Sequence, residues 1–158
     1  MKRIPLTQGK FTIVPDEWYE ELNQFTWCAW KCGNTFYAVR NSPRVNGKRD
    51  SNILMHRVIM DAPDGSLVDH RDGNGLNNDY SNLRLATFIQ NIHNQGVRSN
   101  NTSGCKGVYW RKDLGKWSAQ IGVNNKRISL GYFDVKDDAR RAYNRAAEQY
   151  HGEFAKTS

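Results

Sequence analysis

The stretch Val68-Asp69-His70-Arg71-Asp72-Gly73-Asn74-Gly75, continued through Asn82-Leu83-Arg84 to Asn91, concentrates metal-binding and acid–base side chains. It reads as a strand, a long polar loop, a second short strand and then a helix. Asp69 and His70 are adjacent and would face opposite sides of a strand, but where the strand bends into the loop both can reach one pocket. Asn91 sits in Phe88-Ile89-Gln90-Asn91-Ile92-His93-Asn94, long enough for one or two helical turns. A carboxylate from Asp69 and an amide oxygen from Asn91 would make an open, hard-oxygen site suited to Mg²⁺ or Mn²⁺. His70 is then available as a base near neutral pH. Asn82 can donate and accept, pinning the loop so that His70 keeps one orientation. The blander reading is a solvated turn, since Asp-Gly and Asn-Asn are ordinary turn formers.

The ordered set Asp69-His70-Arg71-Asp72-Gly73-Asn74, Asn77-Asn78, Ser81-Asn82-Leu83-Arg84 and Gln90-Asn91 resembles the ββα-metal motif of HNH nucleases. Within that family it is similar to phage and intron-encoded HNH homing endonucleases. The resemblance implies His70 as general base, Asp69 and Asn91 as metal ligands and Asn82 as the residue that orients the base. Asn91 in place of a third-position His implies an all-oxygen site, with a single Mg²⁺ or Mn²⁺ rather than tightly held Zn²⁺.

At 158 residues the chain has room for one medium or two small domains. A net charge of +7 and 11% aromatic residues suit a polyanionic partner, nucleic acid above all. No apolar run approaches the roughly 20 residues that span a bilayer. Met1-Lys2-Arg3-Ile4-Pro5 lacks a signal peptide's apolar core. The expectation is a soluble protein of the cytoplasm of a bacterial or phage-infected cell, monomeric, with no membrane and no obligate protein partner. Three cysteines argue against a disulfide framework, and the four histidines offer no second ligand pair for structural zinc.

Residues 1–50 read as β-rich. Ile4–Thr7 and Lys10–Val14 flank Gln8-Gly9, and a short helix follows Pro15 through Leu22. Thr26–Trp30 and Thr35–Arg40 flank a turn at Gly33-Asn34, and Asn46-Gly47 is a strong hairpin signal. Arg44 and Lys48 on that second hairpin could lie along a DNA groove or be merely solvated. Residues 53–60 predict a strand passing into a short helix. There His56 reads either as a structural residue or as one approaching the metal pocket. Arg71, Arg84 and His93 are counted among the DNA contacts, although His93 could equally pack. Residues 96–104 are polar and read as a linker between a domain at 1–95 and another at 105–158.

The second module predicts three strands, Lys106–Arg111, Lys116–Val123 and Lys126–Phe133, followed by a helix. Ala139, Ala142, Tyr143, Ala146, Ala147 and Tyr150 recur there at helical spacing. Asp134 is the expected cap and Gly152 the expected stop. Lys116, Ser118 and Gln120 alternate with Trp117, Ala119 and Ile121, so one sheet face packs on the helix. The other would display Lys106, Tyr109, Arg111, Lys116, Gln120, Lys126 and Arg127 to phosphates and base edges. From Cys105 onward there are 11 Lys and Arg against six Asp and Glu.

The segments Lys106–Trp110, Gly115–Ile121, Leu130–Phe133 and Ala139–Ala147 resemble the APETALA/ethylene-response-factor DNA-binding domain. That family reads the major groove with its three-stranded sheet. The resemblance implies double-stranded DNA as partner, with Lys106, Tyr109, Arg111, Gln120 and Arg127 at contacting positions. Tyr109, Gly122 and Ser129 stand where plant members usually carry Arg, Arg and Trp, so the plant target sequence is not implied.

The expected fold is α+β. A β-rich amino-terminal part leads into a ββα-metal core, followed by a three-stranded antiparallel sheet packed on one helix. The expected function is site-directed, metal-dependent hydrolysis of DNA. The rival readings are a DNA-binding transcription factor that cuts nothing and an RNA-binding protein.

Overall fold

The computed structural model describes residues 1–45, 48, 49 and 51–157, at Val45, Lys48 and Arg49 for the backbone alone. The Asn46-Gly47 turn and the side chain of Lys48 therefore lie outside the described residues. The chain divides into two compact units, Met1–Phe88 and Ile89–Ser158.

The first unit is built from small antiparallel sheets. Strands β1 (Lys2–Pro5) and β2 (Phe11–Val14) pair across a turn in which Gln8 and Gly9 both have positive φ. Helix α1 (Asp16–Leu22) follows Pro15, with Asp16 and Glu17 in its first turn, where negative charge suits the helix dipole. Strands β3 (Cys28–Cys32) and β4 (Thr35–Asn41) form the hairpin expected at Gly33-Asn34. The short pair β5 (Arg44–Val45) and β6 (Lys48–Arg49) follows. Strand β7 (Asn52–Leu54) then joins β4 and runs directly into helix α2 (Met55–Ile59).

Ile4, Val14, Leu22, Trp27, Ala38, Met55, Ile59 and Leu83 form the apolar core of this unit. Trp27 is 1% exposed, and its indole N–H donates to Leu22 O at 2.8 Å, so its one polar atom is satisfied inside.

On this base stand β8 (Leu67–His70) and β9 (Leu83–Ala86), antiparallel, with Asp69 opposite Arg84 and His70 opposite Leu83. The long loop between them is not simply solvated. Ile13 N donates to Leu76 O and Asn78 N donates to Ile13 O, each at 2.9 Å, so the loop runs along β2 like an added strand. Gly75 N donates to Thr35 Oγ1 at 2.9 Å. A Cβ on Gly75 would meet Phe36 O and the Tyr37 ring, so only glycine lets the loop lie this close to β4.

In the second unit, helix α3 (Phe88–Asn94) is followed by the segment expected as a linker. The two compact units divide at the start of α3. Polar contacts tie the end of α3 to the strand region that follows. Lys106 Nζ donates to His93 O at 2.6 Å, Gln95 O at 2.7 Å and Ile92 O at 3.4 Å, satisfying carbonyls at the end of α3.

Strands β10 (Val108–Arg111), β11 (Lys116–Val123) and β12 (Lys126–Phe133) make one antiparallel sheet in sequence order. Helix α4 (Lys136–His151) packs on it through Ala139, Tyr143, Ala146 and Ala147, against Val108, Ala119 and Ile121. Gly107 has φ +68°, and a Cβ there would strike the Tyr143 ring, which lets β10 approach α4. Tyr150, expected on the inner face, is 44% exposed. Asp134 does not cap α4: the N-cap is Val135, without a side-chain bond, and Asp134 pairs with Lys116 at 3.1 Å. Gly152 ends the helix with positive φ, as expected. None of the described helices is long and apolar enough to cross a membrane.

Candidate active site

Asp69 and His70 end β8 and are both buried, 5% and 4% exposed. The cross-strand register sets Asp69 directly against Arg84, and the guanidinium grips Asp69 Oδ2 through Nε at 2.8 Å and Nη2 at 2.7 Å. Arg84 is itself 7% exposed. It was expected at DNA; the structure turns its guanidinium inward onto the buried carboxylate.

His70 is enclosed by two rings. The His56 centroid lies 5.1 Å away, edge-on, and that of Tyr37 at 5.7 Å. Burial holds the His70 imidazole below its usual pKa, against the opposing pull of Asn78, Asp72 and Asp69. That direction favours the neutral imidazole. His56 is pushed down to about 3, first by burial and then by His70 and Arg57. Its buried Nδ1 has no hydrogen-bond partner among the described residues. The structure places the His56 ring against that of His70.

Asn78 is bonded directly to His70, its Oδ1 lying 2.9 Å from Nε2. Asn82 works one step back. Its Oδ1 accepts from Asp72 N at 3.0 Å, and its Nδ2 donates to Asp72 Oδ1 at 3.0 Å and to Asn77 O at 2.8 Å. Asp72 also accepts from Asn74 N and from Asn77 Nδ2. Burial would raise the Asp72 carboxyl, but these hydrogen bonds together hold it below its ordinary value. The loop is thus a closed polar braid with Asn82 at its knot. The sequence placed Asn77-Asn78 within the nuclease-like set but gave Asn78 no role, since a polar run beside a turn does not say which side chain reaches the histidine.

Because two buried imidazoles are held neutral, the metal-free protein should lose stability in acid. The unfolded chain takes up protons near the ordinary value of 6.5, whereas folded His56 resists down to about 3. Stability is complete above that window and falls as pH drops through it, by at most ~1.4 kcal/mol per pH unit per imidazole. Urea unfolding between pH 7.5 and 4 measures the slope. His56→Phe should flatten it, and an unchanged slope in that variant would remove His56 as a cause.

Among the described residues no three His, Cys, Asp or Glu side chains come together as a metal cluster. The oxygen donors that the sequence pointed to are the carboxylate of Asp69 on β8 and the amide of Asn91 on α3. Carboxylate and amide oxygens are the donor types that hard cations keeping several waters, such as Mg²⁺ or Mn²⁺, prefer.

In the second unit, the register puts Tyr109 and Tyr132 beside Ser118, Arg111 beside Lys116, and Arg127 beside Gly122, on the sheet face away from α4. Gln120 and Ser129 share that face, and Tyr109 Oη lies 3.5 Å from Gln120 Oε1. Two expected members are not there. Lys126 pairs with Val123, whose side chain packs toward the core, so alternation turns Lys126 to the helix side. Lys106 caps α3, and burial lowers its pKa to about 8. Lys116 and Arg111 are on the open face but carry partners, Asp134 and Asp113. His93 stacks on His151 at 3.5 Å between centroids. In the first unit Arg44 and Arg71 are exposed.

Two family models match the chain. The HNH endonuclease family model matches residues 54–91, which hold α2, β8, the braided loop, β9 and the start of α3. The AP2 domain model matches residues 103–153, the sheet and α4. "Protein 3.8" of Escherichia phage T7 is 35% identical over 94 residues, 60% of this chain and 77% of that protein. An HNH endonuclease of Acanthamoeba polyphaga mimivirus is 32% identical over 151 residues, 94% of this chain and 74% of that protein. With a relative of this identity spanning nearly its whole length, the chain belongs to the HNH endonuclease family and carries an AP2 domain in its second unit.

Proposed function

We propose that the protein is a homing-type DNA endonuclease that hydrolyses phosphodiester bonds with a divalent ion, His70 acting as general base. The observation that carries this reading is a buried imidazole beside a buried carboxylate gripped by Arg84, inside the segment that matches the nuclease family. His70 takes a proton from water, the hydroxide attacks phosphorus in line, and the 3′-oxygen leaves. Asp69 and Asn91 would hold one Mg²⁺ or Mn²⁺, which when bound supplies positive charge at the phosphate and the departing oxygen. Arg84 engages Asp69 through Oδ2 and holds the carboxylate in place. Asn82 keeps the loop closed around this end of β8. The protein would act as a monomer on double-stranded DNA in the cytoplasm of a bacterial or phage-infected cell.

Incubating the purified protein with plasmid, with Mg²⁺, with Mn²⁺ and with a chelator, tests the reading. Metal-dependent nicking or linearisation supports it. Tight duplex binding with no cleavage under any of these conditions would favour a DNA-binding protein that does not cut.

The open sheet face would hold the substrate, with Arg127 on a phosphate and Gln120 at a base edge. Arg127→Ala should weaken binding about equally for all sequences. It should also reduce the log–log salt slope by ~0.9, the share of one phosphate on duplex DNA. Gln120→Ala should relax sequence selectivity with little change in slope. Filter binding at several salt concentrations reads both. Parental affinity, slope and selectivity in both variants would place the DNA elsewhere.

A further inference from the structure

A chain of three hydrogen bonds runs from β2 to the proposed base. Thr12 Oγ1 donates to Leu76 O at 2.8 Å. Asn78 Nδ2 donates to Thr12 Oγ1 at 2.9 Å. Asn78 Oδ1 faces His70 Nε2 at 2.9 Å. Thr12 and Asn78 are both 0% exposed, so bulk water does not compete for these atoms.

The direction of the chain is fixed from its far end. A backbone carbonyl can only accept, and a threonine hydroxyl carries a single hydrogen. With that hydrogen on Leu76 O, the oxygen of Thr12 must accept from Asn78. The amide therefore presents its NH₂ to Thr12 and its oxygen to His70. Turned the other way, the amide would need the Thr12 hydrogen for its own oxygen, and two lone-pair oxygens would then face each other at Leu76. An acceptor at Nε2 requires Nε2 to carry the imidazole hydrogen. Neutral imidazole carries only one, so Nδ1 is left as the basic nitrogen. The backbone repeats the clamp, because Asn78 N donates to Ile13 O and Ile13 N donates to Leu76 O.

We propose that Thr12 and Asn78 form a tautomer lock, holding His70 with its hydrogen on Nε2 so that Nδ1 is the atom that accepts the proton from water. Both are positioning residues that act through His70. The proposal rests on the reading of His70 as the base. It assigns to β2, which lies outside the segment matching the nuclease family, a part in the chemistry of β8.

The test is nitrogen-15 NMR of the full chain labelled in its histidine rings, at neutral pH, with the His70 signals assigned by their loss in His70→Gln. The parent should show His70 as the Nε2–H tautomer. Thr12→Val keeps the shape but removes the oxygen that orients the amide. It should give a mixed or reversed tautomer and a 10–100-fold slower single-turnover cleavage at unchanged DNA affinity. Thr12→Ser should restore both. An Nδ1–H signal in the parent overturns the proposal by itself, whatever the variants do. So does a parental tautomer in Thr12→Val, or a shifted tautomer with a parental rate. Failure of the base reading looks different: a His70→Ala protein that still cuts at the parental rate, while the parent keeps its Nε2–H signal.

Discussion

His70→Ala is expected to lower the cleavage rate ~10²–10⁴-fold, the usual worth of general-base help, while leaving DNA affinity within a few-fold of the parent. The imidazole is 4% exposed, at the end of β8, and is not among the residues proposed to contact DNA, so its loss should remove chemistry rather than docking. The substitution also strands Asn78 Oδ1 and opens space beside Tyr37 and His56. Some loss of stability therefore accompanies it, and rates should be compared at a temperature where both proteins are folded. Single-turnover cleavage with saturating Mg²⁺, beside an equilibrium binding curve, separates the effects. A parental rate in the folded variant would exclude His70 as the base.

Arg84→Met should destabilise the first unit by ~3–5 kcal/mol, because it leaves a carboxylate inside the protein without its counter-charge. The pair is 7% and 5% exposed, joined by two short bonds. Removing one partner of such a pair costs far more than removing a surface ion pair, which is worth about 0–1 kcal/mol. The double variant Arg84→Met with Asp69→Leu should recover much of the loss, since an apolar pair of similar size needs no compensation. It should stay inactive, having lost the proposed ligand. Urea unfolding of the two variants beside the parent measures this. If Arg84→Met were as stable as the parent and only DNA affinity fell, Arg84 would be a phosphate contact after all.

These two residues show how far a linear reading reaches. Asp69, His70, Asn82 and Asn91 were legible as a set because their types and order match one chemistry. Arg84 was legible only as a cation. A basic residue on a short strand looks the same whether it faces phosphate or a buried carboxylate, and the β8–β9 register decides between them. Lys106 and Lys126 make the same point in the second unit. Both were basic residues beside predicted strands. One turned out to hold the carbonyl end of α3, and the other fell on the helix side of its sheet by alternation.

By itself the sequence determined the order of the elements, the polar loop between two short strands and the alternating sheet backed by small alanines. Each of these is written in local spacing: turn residues at the bends, period two in strands, three to four in the last helix. Only the tertiary structure decided which polar groups meet. Thr12 and Asn78 are 66 positions apart, and nothing local joins them. They meet because the loop docks along β2, and a hydrogen bond depends on where atoms lie after folding and not on their distance along the chain.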